Sequence, residues 1–379
     1  MTHDYDYIIA GAGCAGLSLS MHMLQSGLLA DKKLLIADPS GKSSNDRTWC
    51  FWQQDKDLFE PVVHHRWSRL QMHTPTQSQQ LDIQPYEYKM IRGADFYAYC
   101  LEEIRRHPQV TFSNHSVEHI VNHGDHAEAT VGGNTLTAGY VFNSIFRKPS
   151  VLSVKDIWML QHFRGWLIET EDDTFDASSA VLMDFRADQQ YGTAFCYVLP
   201  LSRRQALVEY TLFTPSLLQH HQYEAALRAY IEQHMGVSKY HVRETETGVI
   251  PMTSFAFPQQ EGRIVHIGTA GGQTKASTGY TFNFIQKHSR NLVRSLMAEG
   301  AVRPRRRSSR FAFYDAVLLE VLKRNSVPGP AIFAGLFGKN DVRSVFRFLD
   351  NESSLRDDMK ILSSLPALPF MKAAMRHIF

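Results

Sequence analysis

A single carboxylate stands inside an apolar stretch of the chain, VLPLSRRQALVEYTLF (198–213). The stretch is typical of a hairpin, because two arms rich in β-branched and aromatic residues flank a polar corner. Glu209 lies in the second arm, between Val208 and Tyr210. A carboxyl group buried among apolar side chains can act as an acid at neutral pH, since desolvation disfavours its charged form and raises its pKa. If its strand face is exposed, Glu209 is an ordinary solvated glutamate.

A nucleotide-binding motif occupies residues 5–38, which predict a β-α-β unit. The apolar run YDYIIA precedes GAGCAG, a helical pattern follows, and a second apolar run, KLLIAD, ends at Asp38. Gly11, Gly13 and Gly16 have the GxGxxG spacing, which permits a tight turn, close approach to a pyrophosphate and close helix–strand packing. The helix N-terminus offers free N–H groups to the phosphate, and Asp38 suits a ribose hydroxyl. Together these features predict dinucleotide binding.

The segments that follow favour FAD over a nicotinamide nucleotide. After the first unit the chain enters NDRTWCFW (45–52) rather than further parallel β-α units, an arrangement that resembles the glutathione-reductase-type FAD fold. MIRGADFYAYCLEEI (90–104) predicts a helix that brings Arg92 to the flavin. GRIVHIGTAGGQTKASTGYTFNFIQ (262–286) predicts a second flavin segment with backbone N–H groups facing the cofactor. The glycines assigned to this contact are Gly268, Gly271 and Gly279.

Motifs along almost the whole chain occur in a characteristic order. They are NDRTWCFW (45–52), MDFRADQQYGTAFCYVLPLS (183–202), ALVEYT (206–211), ETGVIPM (246–252) and TGYTF (278–282). In these motifs and their order the chain resembles the bacterial FAD-dependent lycopene β-cyclase family, which is related to the plant lycopene cyclases. ALVEYT matches a short acidic motif whose first carboxylate is essential in that family, so the resemblance implies that Glu209 is the catalytic acid.

The resemblance implies a cyclisation without net oxidation, the work of an isomerase (an intramolecular lyase). The ψ-ends of lycopene would become β-ionone rings, through γ-carotene to β-carotene, as one proton adds at C2 and another leaves C6. Reduced FAD would stabilise the cationic transition state, and NAD(P)H would serve only to reduce the flavin. Asp184 is a second candidate, as partner or base, or else a turn residue. The aromatic residues expected to line the substrate tunnel, unless they are ordinary core, are Trp49, Phe51, Trp52, Phe195 and Tyr197.

The composition argues against several other classes of protein. A net charge of +2 is too small to indicate nucleic acid as the main partner. The four cysteines are far apart, which argues against a disulfide framework or a zinc ribbon and suits a reducing compartment. The histidines of segment 115–126 have near-helical spacing, but that segment predicts strand and turn, so no metal site is expected.

We expect a cytoplasmic protein at the periphery of the inner membrane. No signal peptide is predicted, because Asp4 and Asp6 precede a short apolar run. By the resemblance, lycopene and other ψ-end carotenoids would be drawn from the membrane, and other enzymes of carotenoid synthesis are candidate partners. The basic run VRPRRRSSR (302–310) is a solvated loop or a contact with anionic lipid, and LPALPFMKAAMRHIF (365–379) is a packed or an interfacial helix.

The predicted architecture is α/β and has three parts. An FAD-binding Rossmann domain of the glutathione-reductase type surrounds an inserted mixed-sheet substrate domain, and a helical C-terminal part follows. The predicted bounds are 1–55, 86–155 and 245–300 for the FAD domain, 56–85 and 156–244 for the substrate domain, and 301–379 for the helical part.

Three other functions fit the same fold. An FAD-dependent monooxygenase or halogenase would consume oxygen and NAD(P)H. An isoprenoid reductase would consume one hydride for each double bond. A flavin or carotenoid binder would have no turnover to lose when Glu209 is changed.

Overall fold

The structure is a computed structural model that describes residues 3–303 and 309–378 of the 379-residue chain. Residues 304–308 of the predicted basic run lie outside the described residues. Within the described ranges the strands are, in chain order, β1 (Tyr5–Ala10), β2 (Leu34–Ala37), β3 (Thr48–Gln53), β4 (His65–Trp67), β5 (Arg69–His73), β6 (Ser78–Asp82), β7 (Glu87–Arg92), β8 (Val110–Ser113), β9 (Val117–Asn122), β10 (Ala127–Val131), β11 (Asn134–Asn143), β12 (Trp158–Thr170), β13 (Ser179–Asp184), β14 (Thr193–Pro200), β15 (Gln205–Thr214), β16 (Tyr240–Thr253), β17 (Gln260–Glu261) and β18 (Ile264–His266). The helices are α1 (Cys14–Gln25), α2 (Gly93–Arg105), α3 (His220–Gln233), α4 (Phe282–Glu299), α5 (Ser309–Lys323), α6 (Gly329–Gly338), α7 (Val342–Leu349), α8 (Leu355–Ser363) and α9 (Ala367–Ile378), with single 3-10 turns at Glu60–Val62 and Gly268–Gly271.

The first sheet is built around the β-α-β unit of residues 5–38 that carries the nucleotide-binding motif, which we call the nucleotide-type unit. Its order is β17-β18-β11-β1-β2-β8, and from β18 to β8 every neighbouring pair is parallel. Strands β1 and β2 are nearly continuous apolar runs, as expected of parallel strands covered on both faces. Helix α1 follows β1 directly and packs against α4, and the β9–β10 hairpin extends from β11. The carboxyl ends of β1 and β18 therefore lie at one edge of the sheet, where α/β folds bind ligands.

The second sheet carries the strand that holds Glu209. Its order is β16-β12-β15-β14-β13-β5-β6, antiparallel except for the β13–β5 pair. Strands β14 and β15 form the hairpin that the sequence predicts at 198–213. Val208 and Tyr210 of β15 pack with helix α3, whereas Leu207 and Phe213 pack with the C-terminal helices. Because both faces of this strand are covered, neither meets bulk solvent.

A small third sheet, of order β3-β7-β4, joins the other parts of the molecule. Strand β3 contacts α4 of the first unit. On the same strand the ring of Trp52 stacks on Phe346 of α7, with centroids 4.4 Å apart. The third sheet therefore connects the nucleotide-type unit with the C-terminal helices.

Helices α5 to α9 form the C-terminal part, in which α5 packs along α9. Apolar side chains of α5, α6 and α7 share one core with a face of the second sheet. The predicted α/β class, with a nucleotide-type sheet, a mixed second sheet and a helical C-terminal part, is confirmed. The residue bounds of the three domains stay a prediction. None of the helices within the described ranges has both the length and the apolar character needed to cross a bilayer.

Gly16 occupies a position where no side chain fits. A Cβ on Gly16 would lie 2.0 Å from the carbonyl oxygen of Gly11, whereas a Cβ on Gly13 would meet no atom within 4 Å. We expect Gly16→Ala to lower the free energy of unfolding by about 2 kcal/mol, because α1 must move away from β1. The matched control Gly13→Ala should stay within about 0.5 kcal/mol of the parent protein. Equal stabilities in chemical denaturation would contradict this packing.

Candidate active site

A cavity of about 460 Å³ is lined by strand residues of the second and third sheets, by loops that follow strands of the first sheet, and by the start of the first helix. Its size is that of a ligand-binding site. The loop after β1 and the turn after β18 form one end. Strands β12, β14, β15 and β16 of the second sheet form the other end. The predicted nucleotide motif and the predicted acid therefore open into the same space.

The N-terminus of α1 forms the first end of the cavity. Gly13, Cys14 and Ala15 line it, and no side chain caps the helix, so its first N–H groups are available to a ligand. Gly11 has φ +96° and Gly16 packs against it. These two glycines pack against each other within the turn and do not line the cavity.

Asp38 lies beneath the glycine turn. Its carboxylate oxygens accept hydrogen bonds from the N–H groups of Ala12 and Ser40, each at 2.8 Å. The Nζ atom of Lys42 lies 3.0 Å from Oδ2 of Asp38. Lys42 lines the cavity and Asp38 does not, so the ribose contact of Asp38 stays a prediction.

The turn after β18 meets the same helix N-terminus. Gly268 has φ +63°, and a Cβ there would lie 2.7 Å from the Cβ of Ala15. Gly279 has φ +74°, and a Cβ there would lie 2.3 Å from Oε1 of Gln161. Gly268 and Gly279 line the cavity, whereas Gly271 packs behind them against a backbone carbonyl. Oε1 of Gln161 is buried without a hydrogen-bond partner among the described residues, which marks a place for a donor from a ligand.

The arginine that faces the cavity is Arg47 rather than Arg92. Arg92 is the N-cap residue of α2, and its Nε lies 3.6 Å from the carboxylate of Asp95. It borders a separate cavity of about 40 Å³ that Thr48 also lines. Arg92 does not line the main cavity, so its contact with a flavin stays a prediction. Arg47, in the NDRTWCFW motif, lines the main cavity.

Glu209 lines the cavity and is only 8% exposed, so it is not a solvated strand residue. It lies opposite Gly165 of β12 and Tyr197 of β14. Burial raises the pKa of Glu209 well above its ordinary value, and repulsion by Glu246 and a hydrogen bond with it raise the pKa further. Burial and the neighbouring carboxyl group therefore favour the protonated form of Glu209, which faces the cavity.

Glu246 meets Glu209 across Gly165. The three residues lie opposite one another on β15, β12 and β16, so their side-chain positions share one face of the sheet. A Cβ on Gly165 would lie 2.9 Å from Cγ of Glu209 and 3.0 Å from Cγ of Glu246. The missing side chain of Gly165 thus leaves the space in which the two carboxyl groups meet. Thr48 donates a hydrogen bond from Oγ1 to Oε2 of Glu246 at 2.7 Å.

Three buried tyrosines near the pair offer uncharged hydroxyl groups. The hydroxyl oxygens of Tyr88 and Tyr280 lie 3.1 Å apart, and Tyr197 lines the same cavity. Burial raises the pKa values of these three tyrosines and of Cys50 above their ordinary range. The acid therefore faces aromatic rings and neutral hydroxyl groups, which suit a developing cation.

Two of the five predicted lining aromatics reach the cavity. They are Trp49 and Tyr197. Phe51 stacks on Phe282 with ring centroids 4.4 Å apart, and Trp52 packs on α7 with its Nε1 donating to Asp350. Phe195 lies in the core between two other phenylalanine rings. Ordinary core packing, the alternative considered above, accounts for these three residues.

Asp184 lies on the opposite face of the second sheet from Glu209. It pairs with Cys196, whose side chain packs with α3. The side chain of Asp184 is fully buried, Tyr230 donates to it at 2.7 Å, and Arg186 binds both of its oxygens. Burial alone would raise its pKa, but the hydrogen bonds from Arg186 and Tyr230 outweigh that effect and lower the pKa. This placement corrects the expectation that Asp184 partners Glu209, because the carboxyl group beside Glu209 is that of Glu246.

The histidine-rich segment forms the β9–β10 hairpin, as the sequence predicts. His123, His126 and Glu128 group there with side-chain ligand atoms within 4.8 Å of one another. His123 pairs with Glu128 at 3.1 Å, and His126 pairs with Asp125 at 2.7 Å. These contacts satisfy the ring nitrogens involved, and the group does not line the cavity.

Sequence reasoning missed the residues that complete the site. Glu246 stands at the start of ETGVIPM and Thr48 inside NDRTWCFW, so both belong to motifs that drew attention for other reasons. Gln161 and Gly165 lie in β12, a strand without a distinctive motif. One feature of the sequence could have indicated Glu246. It is a carboxylate in β16, the strand from which the chain continues into the first sheet.

The comparisons with known proteins agree with this geometry. The family model described as "Lycopene cyclase protein" matches residues 6–375. Lycopene beta-cyclase of Pantoea ananas is 26% identical over 221 residues, which cover 56% of this chain and 53% of that protein. Neoxanthin synthase, chloroplastic, of Solanum tuberosum is 26% identical over 306 residues, which cover 73% of this chain and 57% of that protein. The chain thus spans little more than half the length of these curated relatives.

Solved structures share the fold at low sequence identity. A flavoprotein/dehydrogenase from Cytophaga hutchinsonii has a TM-score of 0.67 and 11% identity, with 99% of this chain and 100% of that chain covered. A geranylgeranyl bacteriochlorophyll reductase-like protein from Thermoplasma acidophilum has a TM-score of 0.59 and 12% identity, covering 97% and 95%. These similarities establish the fold of FAD-dependent flavoproteins for this chain and no more.

Asp184 should respond to substitution as a residue that stabilises the fold. We expect Asp184→Ala to lower the free energy of unfolding by about 3 kcal/mol, because Arg186 and Tyr230 lose a buried partner. Asp173 also pairs with arginines in the turn between β14 and β15, but it is exposed, so Asp173→Ala should cost much less than Asp184→Ala. Denaturant titration of the two variants provides the comparison. An Asp184→Ala protein as stable as Asp173→Ala would exclude the structural role given to Asp184.

Proposed function

The chain belongs to the lycopene cyclase protein family, and we propose that it converts the ψ-ends of lycopene into β-ionone rings. The product of one closure is γ-carotene and that of two is β-carotene, without net oxidation, so the enzyme is an isomerase of the intramolecular-lyase class. The observation that carries the proposal is the position of Glu209, a buried carboxyl group in the same cavity as the nucleotide motif, where burial raises its pKa. A protonated acid is what the first step, addition of a proton to an alkene, requires.

The residues at the first end of the cavity fit FAD. The uncapped N-terminus of α1 and the open space beside Gly13 suit a pyrophosphate, and Lys42 and Arg47 add positive charge. The unpartnered Oε1 of Gln161, beside Gly279, suits an N–H group of a flavin ring. When bound in its reduced form, FAD would supply negative charge near the developing cation, with NAD(P)H needed only as reductant.

The chain's own residues perform three tasks in this proposal. Glu209 holds the proton that is delivered to C2, and its buried position keeps that proton in place at neutral pH. The aromatic rings of Trp49, Tyr88 and Tyr197 line the cavity and attract a cation from which water is excluded. Exclusion of water also prevents capture of the cation as an alcohol.

Other enzymes and binding proteins share this fold, so the alternative functions must be compared with the cyclase. An FAD-dependent monooxygenase or an isoprenoid reductase would use the cofactor end of the cavity and would not need a buried neutral carboxyl at the other end. The position of Glu209 favours the cyclase. A non-catalytic carotenoid binder would share the cavity but would give no product.

The first test is turnover of lycopene in liposomes under anaerobic conditions. We expect ring formation by the protein with reduced FAD, without stoichiometric loss of NAD(P)H. Glu209→Gln should lower the rate at least about 10³-fold while the flavin stays bound, because the amide has no acidic proton to give. The parent rate should fall as pH rises through the raised pKa of Glu209, since only the protonated form acts. Oxygen-dependent NAD(P)H consumption without cyclised pigment would instead favour a monooxygenase.

We also propose that the protein works at the periphery of the inner membrane, on the cytoplasmic side, through helices α8 and α9. Lycopene resides in lipid, so its enzyme must reach a membrane surface. The exposed large apolar residues of these helices are Leu355, Met359, Leu368, Met371, Met375 and Ile378. On α9 they recur every three or four residues, which places them on one stripe, and Lys360, Lys372 and Arg376 stand beside the apolar residues. An apolar stripe with basic neighbours fits the surface of an anionic bilayer.

Changing this stripe should weaken binding to lipid and leave the fold intact. We expect the double substitution Met371→Asp and Met375→Asp to reduce partition onto anionic liposomes at least about 10-fold, because two exposed apolar groups no longer enter the interface. The matched control replaces Val121 and Val242, exposed valines on β9 and β16, with Asp. If the α9 variant partitions onto liposomes as the parent protein does, this surface is excluded as the lipid contact. If the parent protein is a dimer in size-exclusion chromatography and the α9 variant is not, the stripe binds a second copy of the chain instead.

A further inference from the structure

Two carboxyl groups lie side by side in the cavity. Glu209 and Glu246 stand opposite Gly165 on the strands that flank it, and a Cβ on Gly165 would lie 2.9 Å and 3.0 Å from their Cγ atoms. Like charges in a low-dielectric site repel, so this arrangement favours a proton shared through a hydrogen bond between the two groups. The chemistry of the pair depends on which member gives a proton and which member takes one.

The two carboxyl groups have different surroundings. Oε2 of Glu246 accepts a hydrogen bond from Thr48, and its Oε1 is buried without a hydrogen-bond partner among the described residues. Glu209 is the more deeply buried of the two, and burial raises its pKa. The site therefore places an acid beside a carboxyl group that can still accept a hydrogen bond.

We propose that Glu246 is the base of the reaction, which takes the proton from C6 and returns it to Glu209 through the hydrogen bond between them. This inference rests on the proposed function and deepens it. Glu246 is suited to the task because its carboxylate lines the cavity beside the acid. In the closed ring C2 and C6 are both bonded to C1, so the two reacting carbons are neighbours, as the two carboxyl groups are.

The steps balance without an oxidant or a reductant. The C1=C2 electron pair takes the proton of Glu209 at C2 and leaves a cation at C1. The C5=C6 pair then forms the C1–C6 bond and moves the cation to C5. The Glu246 carboxylate removes the proton of C6, and the released C–H pair becomes the C5=C6 bond of the β-ionone ring. Transfer of that proton from Glu246 to Glu209 restores the starting state.

The other groups around Glu209 and Glu246 are compatible with the role of Glu246 as base. Cys50 on β3, Tyr88 on β7, Tyr197 on β14 and Tyr280 before α4 are uncharged at neutral pH, because burial raises their pKa values. The charged groups that line the main cavity or the small cavity bordering Glu246 are Lys42, Asp46, Arg47, Arg92 and Glu244. Among the described groups that line these cavities, Glu246 is the carboxylate hydrogen-bonded to Glu209.

Infrared spectroscopy of the full-length, flavin-loaded protein tests the shared proton without turnover. We expect a protonated-carboxyl band that Glu209→Gln removes. Glu246→Gln should shift this band to higher frequency, because an amide accepts the hydrogen bond of Glu209 more weakly than a carboxylate does. The control Glu244→Gln makes the same change two residues earlier on β16 and should leave the band in place. A band that Glu246→Gln does not alter would overturn the pairing.

Product analysis tests the role of base. With reduced FAD and lycopene in liposomes, Glu246→Gln should lower β-ring formation at least about 100-fold at every pH, with proton loss from C4 and an ε-ring as the residual outcome. Thr48→Val should lower the rate about 10-fold, because the anion loses one donor. Full recovery of Glu246→Gln at acidic pH would mean that Glu246 only keeps Glu209 protonated, and would overturn its role as base. If the parent protein forms no rings, the proposed function fails and the role of base fails with it, while the infrared comparison still decides whether the pair exists.

Discussion

The hydrogen bond between Glu209 and Glu246 is the interaction on which the rest of the site depends. Two carboxyl groups meet because Gly165 stands between them on the central strand of three and contributes no side chain. A sheet with one face open to water would let both groups ionise separately. Here the C-terminal helices and the third sheet cover that face, so burial and repulsion raise the pKa of Glu209. The architecture therefore favours the protonated form of Glu209.

A second constraint is that the cofactor end and the acid end of the cavity belong to different sheets. Strand β3 links them, because Thr48 donates to Glu246 while its neighbour Arg47 lines the cavity near the helix N-terminus. The third sheet also packs on α4 and α7. A shift of β3 would therefore alter the carboxylate of the acid pair and the cofactor end together. We infer that the rigid aromatic packing of Trp52 and Phe51 serves this coupling rather than contact with substrate.

The sequence predicted what depends on neighbouring residues and missed what depends on register between distant strands. The glycine turn, the hairpin at 198–213 and the burial of Glu209 follow from local patterns of apolar and small residues, and the structure contains all three. Glu246 lies 37 residues beyond Glu209 in the numbering, on a strand whose pairing with β12 no local pattern specifies. Arg92 was assigned to the cofactor from the motif alone, and its ion pair with Asp95 is invisible in a motif.

Asp184 and Glu209 show why the position of a carboxylate in a strand is insufficient to assign its chemistry. Both are buried residues of the same sheet, yet they lie on opposite faces, and their pKa values shift in opposite directions. Asp184 meets the guanidinium of Arg186 and the hydroxyl of Tyr230, which favour the anion and fix the side chain to α3. Glu209 meets another carboxyl group and neutral rings, which favour the acid. Because desolvation acts on both residues, the partner that each one meets decides whether burial produces a structural anion or a proton donor.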